Sequence, residues 1–173
     1  YAVSVFALSY ATTAGLSRTA ALYAVLAAAL VEVVTIPLFG RLSDRVGRRP
    51  VTLFGAGFVV VFILPFFLLL QSGSAVLTAL AMILALGVGH AAMFGPQTPF
   101  FAELFATRVR YTGFSVGVAV ASVIGGGFAP FVATALLDAS GGAFWPIAVY
   151  IGGLALISLL TVLAVRETRG ADL

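Results

Sequence analysis

The chain has 173 residues, of which 62% are hydrophobic and only 9% charged, with a formal net charge of +3 and a mean hydropathy of +1.18. A soluble domain carries about a quarter charged residues, so these proportions exclude an ordinary water-soluble fold. The uncharged runs are longer than core helices need, and about 20 apolar residues cross a hydrocarbon core of about 30 Å.

Six runs qualify or nearly do, at 1–17, 19–39, 51–70, 75–102, 111–137 and 143–165. Strand spans would alternate polar and apolar residues, whereas 59–64 and 77–84 are apolar or nearly so on every side. The expectation is an all-α membrane protein with six transmembrane helices. The first run is short and begins without methionine, directly in apolar sequence. The chain is therefore expected to be a fragment cut inside or just before a span, with any leader unseen.

The second run contains one acid, Glu32, seven residues before Phe39 and so about 10 Å inside the helix end. A glutamate is too short to reach the interface from there, and it must face the bundle or a water-filled cavity. It is a neutral acid bonded to a neighbouring helix or a proton-coupling group.

Between the second and third runs stands GRLSDRVGRRP, residues 40–50, which concentrates five of the fifteen charged residues in eleven positions. Gly40 removes a side chain where another helix can approach, and Gly47 permits a tight turn. Asp44, an acid among arginines, suits a helix amino terminus or a guanidinium partner. The expected partners are the start of the fifth run near Tyr111 to Gly113 for Asp44, and Glu103 for Arg45, Arg48 or Arg49.

The fourth run holds His90, the only histidine, about 22 Å along the span. An imidazole gains or loses its proton near physiological pH, and charge-capable side chains in lipid are functional candidates. Gly95-Pro96-Gln97-Thr98-Pro99 follows, and its two prolines are expected to interrupt the helix and mark a cavity. Gln97 offers a donor and an acceptor to a polar solute, and Phe94 can wall the site. In the fifth run, Gly113 and Gly117 suit close helix packing, while Gly125, Gly126, Gly127 and Pro130 predict a bend. Gly113-Phe114-Ser115-Val116-Gly117 also fits G-x-S-x-G, which requires a strand-to-helix turn and here opens an apolar helix. An intramembrane serine hydrolase using Ser115 and His90 is the alternative from another class, and a non-transporting membrane scaffold or sensor is a third.

Eight of the nine arginines lie in the second and fourth connections and the tail from Arg166. The positive-inside rule puts those segments, and the carboxy terminus, in the cytoplasm. Arginines spread over three short membrane-edge segments match anionic lipid rather than nucleic acid. Without cysteine there are no disulfides or thiolate metal sites. No cofactor, metal or catalytic residue is expected.

The pattern at Gly40, Leu42, Asp44, Arg45, Gly47, Arg48 and Arg49, set between two spans, resembles the signature loop of the major facilitator superfamily. Four spans follow the loop, which resembles the carboxy-terminal six-helix half, helices seven to twelve, with an amino-terminal half missing. The passage GVGHAAMFGPQTPFFAELFATRVRYTGFSVGVAVASVIGGGFAP, residues 87–130, is similar to the metabolite:proton symporter family within it. That resemblance implies proton-coupled uptake of an organic acid or a proline- or betaine-like solute across the cytoplasmic membrane by alternating access. It implies a cytoplasmic gate made of the loop residues with Glu103 and Arg108. The substrate-cavity candidates are His90, Phe94 and Gln97, and the proton-coupling candidates Glu32 and His90, with H+ as the coupling ion. The implied partners are a small-molecule substrate, the lipid bilayer and the missing half, with no nucleic acid.

Overall fold

A computed structural model of the chain describes residue 3 and residues 6–168. Part of the first expected span and Arg169 of the tail lie outside the described residues. Among the described residues the fold is entirely helical: α1 (Ala7–Thr13), α2 (Arg18–Val46), α3 (Arg48–Gln71), α4 (Ala75–Leu84), α5 (Ala91–Ala102), α6 (Arg110–Ala121), α7 (Ala129–Ala139) and α8 (Trp145–Ala164). A π-helical segment, Ala85–His90, joins α4 to α5, and another, Ser122–Gly127, precedes α7. Among the described residues, five helices are long and apolar enough to cross a membrane, at Arg18–Val46, Arg48–Gln71, Ala75–Ala102, Arg110–Ala139 and Trp145–Ala164.

α3 packs against α8 and α5, and α2 against α4 and α5. Between helices in lipid, association comes from close packing rather than from excluding water. α2 supplies the small stripe Ala21, Ala24 and Ala28, all buried. The larger core, at the end away from the arginine-rich α2–α3 corner, joins Phe6, Tyr10, Phe66, Phe67, Leu70, Met82 and Ile147. There Tyr10 meets Phe67 edge-on at 5.5 Å, and the Gln71 amide donates to the Tyr10 hydroxyl at 2.9 Å. α6 buries no residue.

Two expectations are corrected. Residues 40–50 are not a loop: α2 runs to Val46 and α3 starts at Arg48, with Gly47 alone between them. Residues 41–46 hold no glycine or proline to end the helix, and Gly47, at φ +122°, adopts a backbone conformation that side chains disfavour. The prolines do not interrupt the fourth span either. α5 stays helical through Pro96 and Pro99, and the irregular turn lies upstream at Ala85–His90. Pro99 has no N–H to offer the Gly95 carbonyl, and that oxygen packs 3.6 Å from where a β-carbon on Gly40 would stand. As the sequence indicates, Ser115 sits inside a helix, α6, and G-x-S-x-G forms no nucleophile elbow.

The glycine-rich stretch of the fifth span does depart from a regular α-helix, as the π-helical segment Ser122–Gly127.

Candidate functional site

Glu32 is the middle residue of α2, and His90 closes the π-helical segment near the middle of the fourth span. Packing brings them together. A β-carbon on Gly87 would stand 2.8 Å from Val31 on α2, and one on Gly89 2.9 Å from Val59 on α3, so the two bare glycines let the segment seat between both helices. A π turn inserts one residue and re-aims the side chains beyond it. The outcome is a hydrogen bond between His90 Nδ1 and Glu32 Oε1 at 2.5 Å. Glu32 is mostly covered while the His90 side chain is 50% exposed. The imidazole stacks on Phe94, ring centroids 5.2 Å apart.

Two cavities meet at His90. One, about 340 Å³, is walled by Glu32, Phe58, Phe62, Met93 and Leu154 among others. The other, about 460 Å³, is lined by His90, Met93, Phe94, Gln97, Phe101 and Thr161 among others. His90, Phe94 and Gln97 fall at i, i+4 and i+7, on one helix face.

A second cluster occupies the arginine-rich end. The Arg48 guanidinium bonds the Asp44 carboxylate, donates to Ser43 Oγ at 2.9 Å and stands 3.5 Å from Glu103 Oε1. Arg49 donates through Nε to the Val162 carbonyl at 3.2 Å and through Nη2 to the Leu163 carbonyl at 2.6 Å, satisfying acceptors that the last turn of α8 leaves open. The tail returns the contact. Glu167 Oε1 accepts from the Arg48 backbone N–H at 2.9 Å and Oε2 from that of Arg49 at 3.0 Å, placing a carboxylate at the start of α3, where the helix dipole favours one. Thr168 Oγ1 donates to Glu103 Oε2 at 2.5 Å. A β-carbon on Gly47 would meet Glu167 Oε2 at 2.6 Å, so this glycine also makes room for the tail.

Of the loop residues, Gly40 faces Gly95: a β-carbon on Gly95 would stand 2.8 Å from both the Gly40 nitrogen and the Ile36 carbonyl oxygen. Leu42 is exposed, and Arg45 lies in the last turn of α2. Arg108 is exposed in the turn before α6.

The sequence model of the Major Facilitator Superfamily matches residues 1–172. The chain belongs to that superfamily. It is 37% identical over 172 residues to the shikimate transporter of Escherichia coli K12, covering 99% of this chain and 39% of the relative. It is 31% identical over 137 residues to the citrate-proton symporter of Klebsiella pneumoniae, covering 76% of this chain and 31% of the relative. It is also 31% identical over 137 residues to the proline/betaine transporter of Escherichia coli K12, covering 79% of this chain and 27% of the relative. The chain thus spans well under half the length of these relatives. No solved structure matches it.

As a major facilitator chain it is a multi-pass membrane protein of a transporter family and not an enzyme, which removes the hydrolase reading. The superfamily signature residues divide between two jobs in this structure. Gly40 and Gly47 admit a neighbouring helix and the tail, while Arg48 and Arg49 tie α3 to the α5–α6 connection and to α8.

The expected partner of Asp44 is corrected: it bonds Arg48 one turn away, not the start of α6, because the helix continues through Asp44 and sets the i,i+4 pair side by side. The carboxylate at a helix start is Glu167 instead, at α3. Sequence reasoning missed Glu167, Thr168 and the Arg49 contact with α8. The available signal was an acid in Arg166-Glu167-Thr168 just past a span whose end must meet the same membrane face as Gly47.

Proposed function

We propose that this chain forms one six-helix half of a secondary transporter in a bacterial cytoplasmic membrane, moving a small polar metabolite with protons by alternating access. The observation that carries the reading is the Glu32–His90 hydrogen bond at 2.5 Å. A carboxylate and an imidazole at mid-span are costly in hydrocarbon and are retained where they bind or relay. Proton coupling through this pair agrees with the name of the citrate-proton symporter relative. The substrate is a small metabolite, as the names of the shikimate and proline/betaine relatives suggest, and no cofactor takes part.

A solute site between two halves requires a second six-helix unit, and the relatives are long enough to contain one. The arginine-rich end is the cytoplasmic end by the positive-inside rule, which puts the carboxy terminus in the cytoplasm. The network of Arg48, Arg49, Glu103 and Glu167 is then a cytoplasmic gate. Asp44, Gly40, Gly47 and Leu42 shape its α2–α3 corner, with Arg45 and Arg108 adding positive charge at the lipid headgroups.

The test is uptake by the full-length protein in proteoliposomes. Accumulation is expected to follow an imposed inward proton gradient and to collapse with a protonophore, and Glu32→Gln is expected to uncouple it. Accumulation that survives the protonophore and follows sodium would overturn the reading.

A further inference from the structure

Glu32 meets one ring nitrogen of His90, Nδ1, at 2.5 Å. The other, Nε2, has no partner among the described residues, and it belongs to a side chain 50% exposed that borders both cavities. We propose that His90 Nε2 is the binding point for the carboxylate of the transported solute, that Glu32 is the positioning residue that presents it, and that the solute class is a monocarboxylate with an uncharged body. This rests on the transport reading above.

An ionised Glu32 accepts from Nδ1–H and fixes the tautomer, so a neutral imidazole offers only a lone pair at Nε2. A lone pair repels a carboxylate. Adding one proton at Nε2 turns that acceptor into a charge-assisted donor. The proton and the carboxylate therefore meet on the same nitrogen, and one enters with the other. Glu32 and His90 are the only titratable groups among the described residues lining either cavity, so no neighbouring charge on this half substitutes for the added proton. In a low-dielectric site a carboxylate bound without it would face Glu32 uncompensated.

The same lining gives this half's contribution to the class. A second carboxylate on the solute would need another cation, and this half supplies none among the described lining of either cavity. An ammonium would need an acid, and the Glu32 carboxylate is engaged by His90. What remains along the second cavity is an apolar wall of Met93, Phe94, Phe101 and Val162, with the Gln97 amide beside it. The Ser158 and Thr161 hydroxyls donate to the Leu154 and Ile157 carbonyls of their own helix and offer the solute only acceptors. Such a surface suits rings and hydroxyl groups.

The experiment uses the full-length purified protein and tritiated shikimate as the monocarboxylate probe. Unlabelled shikimate is expected to displace it, whereas methyl shikimate, citrate and glycine betaine compete at least about tenfold more weakly. His90→Gln is expected to weaken shikimate binding at least about tenfold. Glu32→Gln is expected to weaken binding and also to move the ¹⁵N resonances of the His90 ring, assigned by their loss in His90→Gln, a signature that a merely structural glutamate would not produce. Equal competition by methyl shikimate, absence of shikimate binding, or unaltered affinity in a folded His90→Gln variant would overturn the proposal. Failure of the transport reading is distinguishable: shikimate bound at His90 but never accumulated in proteoliposomes would refute transport and keep the site, while accumulation of glycine betaine insensitive to His90→Gln would do the reverse.

Discussion

Replacing Glu167 by alanine removes both acceptors that cover the Arg48 and Arg49 backbone N–H groups at 2.9 and 3.0 Å. Losing a side-chain cap at a helix start costs typically about 1 kcal/mol. The lost charge at the dipole's positive end adds about 0.3–1 kcal/mol for an exposed carboxylate. The closed arrangement of α3 against α8 is thus weakened by about 1–2 kcal/mol, which at about 1.4 kcal/mol per factor of ten raises the open fraction about 5- to 30-fold.

Val162 reports that fraction. It is only 6% exposed, its carbonyl is held by Arg49, and this chain contributes no competing cysteine. In a full-length protein otherwise free of cysteine, Val162→Cys is expected to react slowly with a water-soluble maleimide and to react about 5- to 30-fold faster once Glu167→Ala is added. Glu167→Gln, which keeps one good acceptor and loses the charge, is expected to fall between. Labelling rates within a factor of two across all three proteins would refute the argument that the tail carboxylate holds α3 and α8 together.

Gly95→Ala is expected to lower the thermal midpoint of the full-length protein far more than Gly57→Ala. Its β-carbon meets backbone atoms of Gly40 and Ile36 at 2.8 Å, whereas one at Gly57 meets nothing within 4 Å. Comparable midpoints would show that α2 and α5 can separate at little cost. Asp44→Asn is expected to change stability by at most about 1 kcal/mol, since a pair with a carboxylate 59% exposed is well screened. Glu103→Gln, at 23% exposed and bonded also to Thr168, is expected to cost more, and a larger loss in Asp44→Asn by the same melt would reverse that order.

Five of the six expected spans were legible among the described residues because lipid leaves little choice: a long apolar run without alternation must satisfy its backbone as a helix. Glu32 and His90 were legible one at a time for a related reason, since titratable side chains at mid-span stand out against so few charges. Their contact was not, because it joins residues 58 apart and depends on how Gly87 and Gly89 seat the π turn between α2 and α3. The arginine-rich corner misled in a more instructive way. Concentrated charge suggests a loop, yet residues 41–46 carry charge and remain helical, because leaving hydrocarbon and ending a helix are separate physical events. The first is decided by the solvation of side chains. The second needs a backbone that stops propagating, and here only Gly47 supplies it. Once the helix is continued through Asp44, its carboxylate turns to Arg48 one turn on, and the vacant role at a helix start passes to an acid more than a hundred residues away. No local pattern announces Glu167. What places it is that α8 ends on the same membrane face where α3 begins, a consequence of counting spans rather than of any residue near it.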